Sequence, residues 1–130
     1  MGSPMPRILI IDDDADLVQI LTIALQNAGY EVSSAGDPKA GLETCREVKP
    51  DMIMLDYHMP GNTGAHLFET LRRNSATCKT PILFMSAIAT GDQILGEVAD
   101  PALSRYLPKP VHMQQLLHTI AEMLAAAAKK

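Results

Sequence analysis

Five side chains stand at the ends of apolar runs, where they could do chemistry together. Asp12 and Asp13 follow Ile8-Leu9-Ile10-Ile11, Asp56 follows Met52-Ile53-Met54-Leu55, Ser86 follows Pro81-Ile82-Leu83-Phe84-Met85, and Lys109 comes just after Arg105-Tyr106-Leu107. Three carboxylates held within a few ångströms repel one another unless a cation offsets their charge. Mg²⁺ is the natural hard cation, because it takes a few carboxylates and keeps positions for water and a phosphoryl oxygen. One carboxylate could then attack phosphorus while a lysine ammonium and a hydroxyl bind the equatorial oxygens. Asp56, Lys109 and Ser86 suit those three roles. Each alone has a plainer reading: an acidic run after a strand is usually a helix cap, and Asp14 is expected to be just capping or solvated.

For these residues to meet, the runs must be neighbouring parallel strands. Ile8 to Ile11, Met52 to Leu55 and Pro81 to Met85 are unbroken and apolar, as strands buried on both faces require. Tyr30 to Ala35 reads as a weaker strand and Arg105-Tyr106-Leu107 as a short fifth one. Between them lie helical patterns. Leu17, Ile20, Leu21, Ala24 and Ala28 recur at helical spacing until Gly29. Asp37-Pro38 supplies a cap and first-turn proline for a helix that stops before Pro50, and Thr63 can cap a helix carrying Leu67, Phe68 and Leu71. Thr90 to Val98 is expected to be the softest helix, because Gly91 and Gly96 each weaken it by up to about 1 kcal/mol. Met113, Leu116, Leu117, Ile120 and Leu124 stripe the last helix.

Five βα units predict an α/β fold with helices on both faces of a parallel sheet. The turn after the first strand reads Asp12-Asp13-Asp14 instead of a glycine-rich phosphate loop. That favours a flavodoxin-like (βα)5 doubly wound sheet with strand order 2-1-3-4-5, whose ligands sit beyond the carboxyl ends of the strands. The five side chains all fall at that corner.

Composition narrows the alternatives. The chain has 130 residues, 47% hydrophobic and 20% charged, enough for one domain that buries roughly two thirds of its unfolded surface. Eleven Lys plus Arg against fifteen Asp plus Glu give a net charge of -4, so no direct nucleic-acid ligand is expected. No apolar run reaches the 18 or so residues that span a bilayer, and a cytoplasmic location is expected. Cys45 and Cys78 lack metal-site spacing, and His58, His66, His112 and His118 form no zinc-hydrolase pair. Met1 to Met5 reads as an expression scar and start, residues 6 to 125 as the domain, and 126 to 130 as the helix end or the start of a truncated linker.

Four segments together resemble a response-regulator receiver domain over residues 6 to 125: the apolar run into Asp12-Asp13-Asp14, Leu55-Asp56-Tyr57-His58-Met59-Pro60-Gly61, Met85-Ser86-Ala87, and Tyr106-Leu107-Pro108-Lys109-Pro110. The resemblance implies a module of a two-component phosphorelay that takes a phosphoryl group from a phosphohistidine on a histidine kinase or histidine phosphotransfer protein. By position, Asp56 would be the phosphoacceptor. Asp12 and Asp13, with Asp56 and the His58 backbone carbonyl, would hold Mg²⁺, Ser86 and Lys109 would contact the phosphoryl group, and Tyr106 would be an aromatic switch. The face of the fourth helix, fifth strand and fifth helix would then meet an output partner. Departures from the family pattern are Thr63 where an acid is common, Val111 where an aromatic is usual, and Asp100-Pro101 before the fifth strand. An Asp-dependent small-molecule phosphohydrolase is the alternative, although His58 stands where such enzymes commonly place a second acid.

Overall fold

The computed structural model describes residues 5–59, 62–87 and 103–128. Strand β1 (Arg7–Ile11) leads into helix α1 (Ala15–Asn27), β2 (Glu31–Ala35), α2 (Pro38–Val48) and β3 (Met52–Asp56). A two-residue hairpin follows, β4 (His58–Met59) against β5 (Asn62–Thr63), then α3 (Gly64–Arg73), β6 (Ile82–Ser86), β7 (Ser104–Pro108) and α4 (Met113–Ala128). The expected helix over Thr90 to Val98, the Pro60-Gly61 turn and the Asp100-Pro101 departure lie outside the described residues.

The large sheet is parallel throughout, in the order β2-β1-β3-β6-β7. With the hairpin set aside, this is the 2-1-3-4-5 order expected. Alternate residues of each strand feed two separate cores, as the two-residue strand period requires. Leu9, Ile11, Ile53, Leu55, Ile82 and Phe84 face Cys45 of α2 and Leu67, Phe68 and Leu71 of α3. Ile8, Ile10, Met52, Met54, Leu83 and Met85 face Leu21 and Leu25 of α1 and Leu116, Ile120 and Met123 of α4. Both faces of β1, β3 and β6 are therefore dry, which explains why their sequences are unbroken apolar runs.

Helix ends follow their sequence signals. Asp14 Oδ1 accepts from the Leu17 amide at 3.1 Å and Asp37 Oδ1 from the Ala40 amide at 2.8 Å, so both aspartates are N-caps. Gly29 ends the first helical segment with φ 99, a conformation that costs a residue with a side chain far more than glycine. The α1 pattern needs one correction. Ile20 is 58% exposed and Ile23 53%, while the buried stripe runs Leu21 and Leu25, flanked by Leu17 and Val18. Repeats of four residues set the line of contact with the sheet, and Ile20 lies about 100° around the helix from Leu21.

The loop after α3 is tied back by Arg72. Its Nη1 donates to the carbonyls of Thr77 at 2.9 Å and Thr80 at 2.7 Å, and its guanidinium lies 4.7 Å from the Phe68 ring centroid. The buried Thr77 hydroxyl adds a bond to the Leu71 carbonyl. These contacts fix the chain just before it enters β6.

Candidate functional site

Strand register brings the acidic residues together. Ile11 pairs with Leu55, so Asp12 and Asp56, the residues after this pair, leave adjacent strands at the same level. Asp56 pairs with Met85, and Ser86 is the next residue on β6. Ser86 in turn pairs with Pro108, which puts Lys109 one step beyond it. One carboxylate oxygen from each of Asp12, Asp13 and Asp56 lies within 4.8 Å of the others. Asp12 and Asp56 are buried at 2% and 4% exposure, and Ser86 at 1%, while Asp13 is exposed. The cluster thus has a buried floor and one carboxylate open to solvent.

Backbone bonds hold Asp12, Asp56 and Lys109 in place. The Asp12 amide donates to the Ala35 carbonyl at 3.1 Å, and Asp12 Oδ1 accepts from the Asp14 amide at 2.9 Å. Asp56 Oδ1 accepts from the His58 amide at 3.3 Å, and the Tyr57 amide donates to the Met85 carbonyl at 2.9 Å. The Lys109 amide donates to the Ser86 carbonyl at 2.9 Å, extending the β6–β7 ladder past its end. Lys109 Nζ reaches Asp12 Oδ2 at 3.0 Å and Asp56 Oδ1 at 3.6 Å, bridging the two buried carboxylates.

Electrostatics follow from this crowding. Burial raises the Asp56 pKa to about 6 and the Asp12 charge adds to the rise; Lys109 and the His58 amide oppose it, and Asp13 adds a further push upward. For Lys109, burial lowers the pKa, but its hydrogen bond and charge pairing with Asp12, and then with Asp56, raise it above the ordinary value. A single ammonium against three carboxylates leaves a surplus of negative charge. The donor set is all oxygen, with one ligand at the surface, which fits a hard divalent cation.

Tyr106 lies on β7 beside this cluster. Its ring is half-buried against the core that contains Phe84, and its hydroxyl donates to the Ser86 carbonyl at 3.4 Å. Tyr57 is a feature the sequence reading passed over. It directly follows Asp56, is 3% exposed, and packs edge-on to Phe84 with centroids 5.9 Å apart, yet its buried hydroxyl has no hydrogen-bond partner among the described residues. Its only sequence signal was its place after a buried strand. The plainer residues stay plain: His58, His66, His112 and His118 are exposed, and Cys45 is buried with its thiol pushed up to about 11 by desolvation. Both cysteines are free. Among the described residues no helix is long and apolar enough to cross a membrane.

Comparison with known proteins gives concordant results. Residues 8–121 match the response regulator receiver domain family. The chain is 36% identical over 121 residues to the DNA-binding dual master transcriptional regulator RpaA of Synechocystis, covering 92% of this chain and 49% of that protein. It is 33% identical over 125 residues to the DNA-binding response regulator MtrA of Mycobacterium tuberculosis, covering 95% of this chain and 53% of that one. The chain thus spans about half the length of these curated relatives. Among solved structures, the chemotaxis response regulator CheY4 of Vibrio cholerae superposes with a TM-score of 0.82 at 32% identity, over 92% of this chain and 98% of that one. A CheY-like receiver domain protein of Methanospirillum hungatei gives 0.84 at 26% identity, over 96% and 98%. None of this supports the phosphohydrolase alternative. Nor does it support excluding nucleic acid, because the relatives are named as DNA-binding regulators; net charge describes only the surface of these 130 residues.

Proposed function

This chain belongs to the response regulator receiver domain family, and from that premise we propose that Asp56 is the residue that takes the phosphoryl group. Receivers are the phosphoacceptor modules of two-component signalling, whose partner is a histidine kinase. The finer assignments are our reading. The observation that carries them is the strand-end cluster in which Lys109 Nζ lies 3.0 Å from Asp12 and 3.6 Å from Asp56.

In this reading an Asp56 oxygen attacks phosphorus as the bond to the donor imidazole nitrogen breaks in line, and the imidazole leaves as a neutral ring whose other nitrogen already carries the proton. With a pKa near 6, Asp56 is mostly ionised at neutral pH and competent as a nucleophile. Asp12, Asp13, Asp56 and the His58 backbone carbonyl would hold Mg²⁺, which supplies positive charge against the carboxylates and the incoming phosphoryl oxygens. Lys109, whose raised pKa keeps it charged, donates to a phosphoryl oxygen. The Ser86 hydroxyl donates to another.

The donor would be a cytoplasmic histidine kinase or histidine phosphotransfer protein. The chain would catalyse only its own phosphorylation and dephosphorylation. Ser86 and Tyr106 would pass the change to the face of β7 and α4, where an output partner binds. The test uses phosphoramidate, whose P–N bond imitates phosphohistidine. With Mg²⁺ it should add one phosphoryl group to the protein, while a small phosphoester such as p-nitrophenyl phosphate is not turned over. Catalytic turnover of the ester with no stable adduct would overturn the reading in favour of a hydrolase.

A further inference from the structure

Asp14 is the one acid of the Asp12-Asp13-Asp14 run that stands outside the carboxylate cluster, yet it is bonded to it. As the N-cap of α1 it is exposed; its Oδ1 accepts from the Leu17 amide at 3.1 Å, and its carbonyl accepts from the Val18 amide at 3.0 Å. In a capping box the third helical residue would return a side-chain bond to the amide of the cap itself. That residue is Leu17, whose apolar side chain has nothing to return. The Asp14 amide donates instead to Asp12 Oδ1 at 2.9 Å, an ordinary length for a bond to a carboxylate. Asp12 is 2% exposed, and its other oxygen, Oδ2, lies 3.0 Å from Lys109 Nζ. Its two oxygens therefore have unlike partners: a backbone amide set by a helix end, and a long side chain that can swing away.

We infer that Asp14 is a positioning residue for the metal site, its cap bond to Leu17 fixing the amide that aims the Asp12 carboxylate. This rests on the site reading above and deepens it. With the cap made, the Asp14 peptide is locked between the end of β1 and the first turn of α1, so Oδ1 stays on the amide and Oδ2 is the oxygen left for the cation when Lys109 turns to the phosphoryl group. With the cap lost, the first turn loosens and carries the amide with it. Asp37 provides the comparison. It caps α2 in the same way, accepting from the Ala40 amide at 2.8 Å, but among the described residues its own amide makes no bond to the cluster.

Asparagine caps as well as aspartate and alanine does not, so the pair Asp14→Asn and Asp14→Ala separates the cap from the charge. Mg²⁺ is titrated calorimetrically into wild type, both variants and Asp37→Ala, and exchange of the position-14 amide is followed by NMR in the metal-free proteins. Asp14→Ala should bind Mg²⁺ roughly threefold to fivefold more weakly, because the amide that holds Asp12 is loosened and not removed. Asp14→Asn should stay within about twofold of wild type, and Asp37→Ala should match wild type. The position-14 amide should be protected in wild type and Asp14→Asn and exchange faster in Asp14→Ala. Wild-type affinity in Asp14→Ala overturns the inference. So does an equal loss in Asp14→Asn, which would mean that Asp14 acts by its charge, or an equal loss in Asp37→Ala, which would mean that any weakened cap suffices. An unprotected position-14 amide in wild type overturns it without any metal. A wild type that binds no Mg²⁺ overturns the site reading itself, and this inference with it.

Discussion

Replacing Asp56 by Asn should stabilise the metal-free protein, and the gain should depend on pH. In the folded state burial and the charge of Asp12 raise the Asp56 pKa to about 6. In the unfolded chain the same group titrates near its ordinary value of 3.8. Between these values the folded state binds the extra proton, so stability from this group falls as pH rises through that window. Above about pH 6 the full penalty applies: two units at roughly 1.4 kcal/mol each make about 3 kcal/mol. Asp56 is only 4% exposed, so little of this is lost to solvent screening. Asparagine removes the charge but keeps the shape, and Lys109 retains Asp12 at 3.0 Å. Imperfect hydrogen bonding of the new amide offsets part of the gain, leaving about 1 to 3 kcal/mol. The assay is urea unfolding of both proteins in chelator, at pH 7.5 and at about pH 4. Asp56→Asn should have the higher midpoint at pH 7.5 and nearly the same midpoint at pH 4. Added Mg²⁺ should then narrow the gap at pH 7.5, because it stabilises wild type more. A variant that is no more stable at pH 7.5, or more stable by the same amount at both pH values, would refute the account of crowded charge.

Asp13→Ala should weaken Mg²⁺ binding by at least tenfold in a direct titration while moving the urea midpoint little, because Asp13 is the exposed member of the cluster. Tyr57→Phe removes a buried hydroxyl without a partner and should be neutral or stabilising by about 1 kcal/mol in urea; a clear destabilisation would mean that the hydroxyl is satisfied. Arg72→Met loses the bonds to the Thr77 and Thr80 carbonyls and should cost about 1 to 3 kcal/mol, measured by thermal unfolding.

The sheet order and the positions of the reactive groups were legible because they rest on short-range rules. Unbroken apolar runs mark strands buried on both faces, and Asp12, Asp56 and Ser86 are each the first polar residue after such a run. Asp14 and Asp37 capped their helices because an N-cap needs only a local side chain and an amide three residues on. What escaped the sequence depends on which neighbour a side chain meets. Ile20 fits a helical apolar pattern but lies off the line of contact with the sheet, a matter of helix rotation that a broad apolar stripe does not fix. The β4–β5 hairpin is too short to show a strand period. The Tyr106 hydroxyl reached the Ser86 carbonyl across twenty positions of chain, and the Tyr57 hydroxyl found no partner among the described residues; neither outcome has a local signature.

The central claim is that the strand-end cluster makes Asp56 a phosphoacceptor, and intact-mass measurement after incubation with Mg²⁺ and acetyl phosphate tests it most directly. The account predicts one added phosphoryl group on wild type, labile to alkali, absent when Mg²⁺ is chelated and absent from Asp56→Asn. An adduct that persists in Asp56→Asn, on Ser86 or on a histidine, would contradict it.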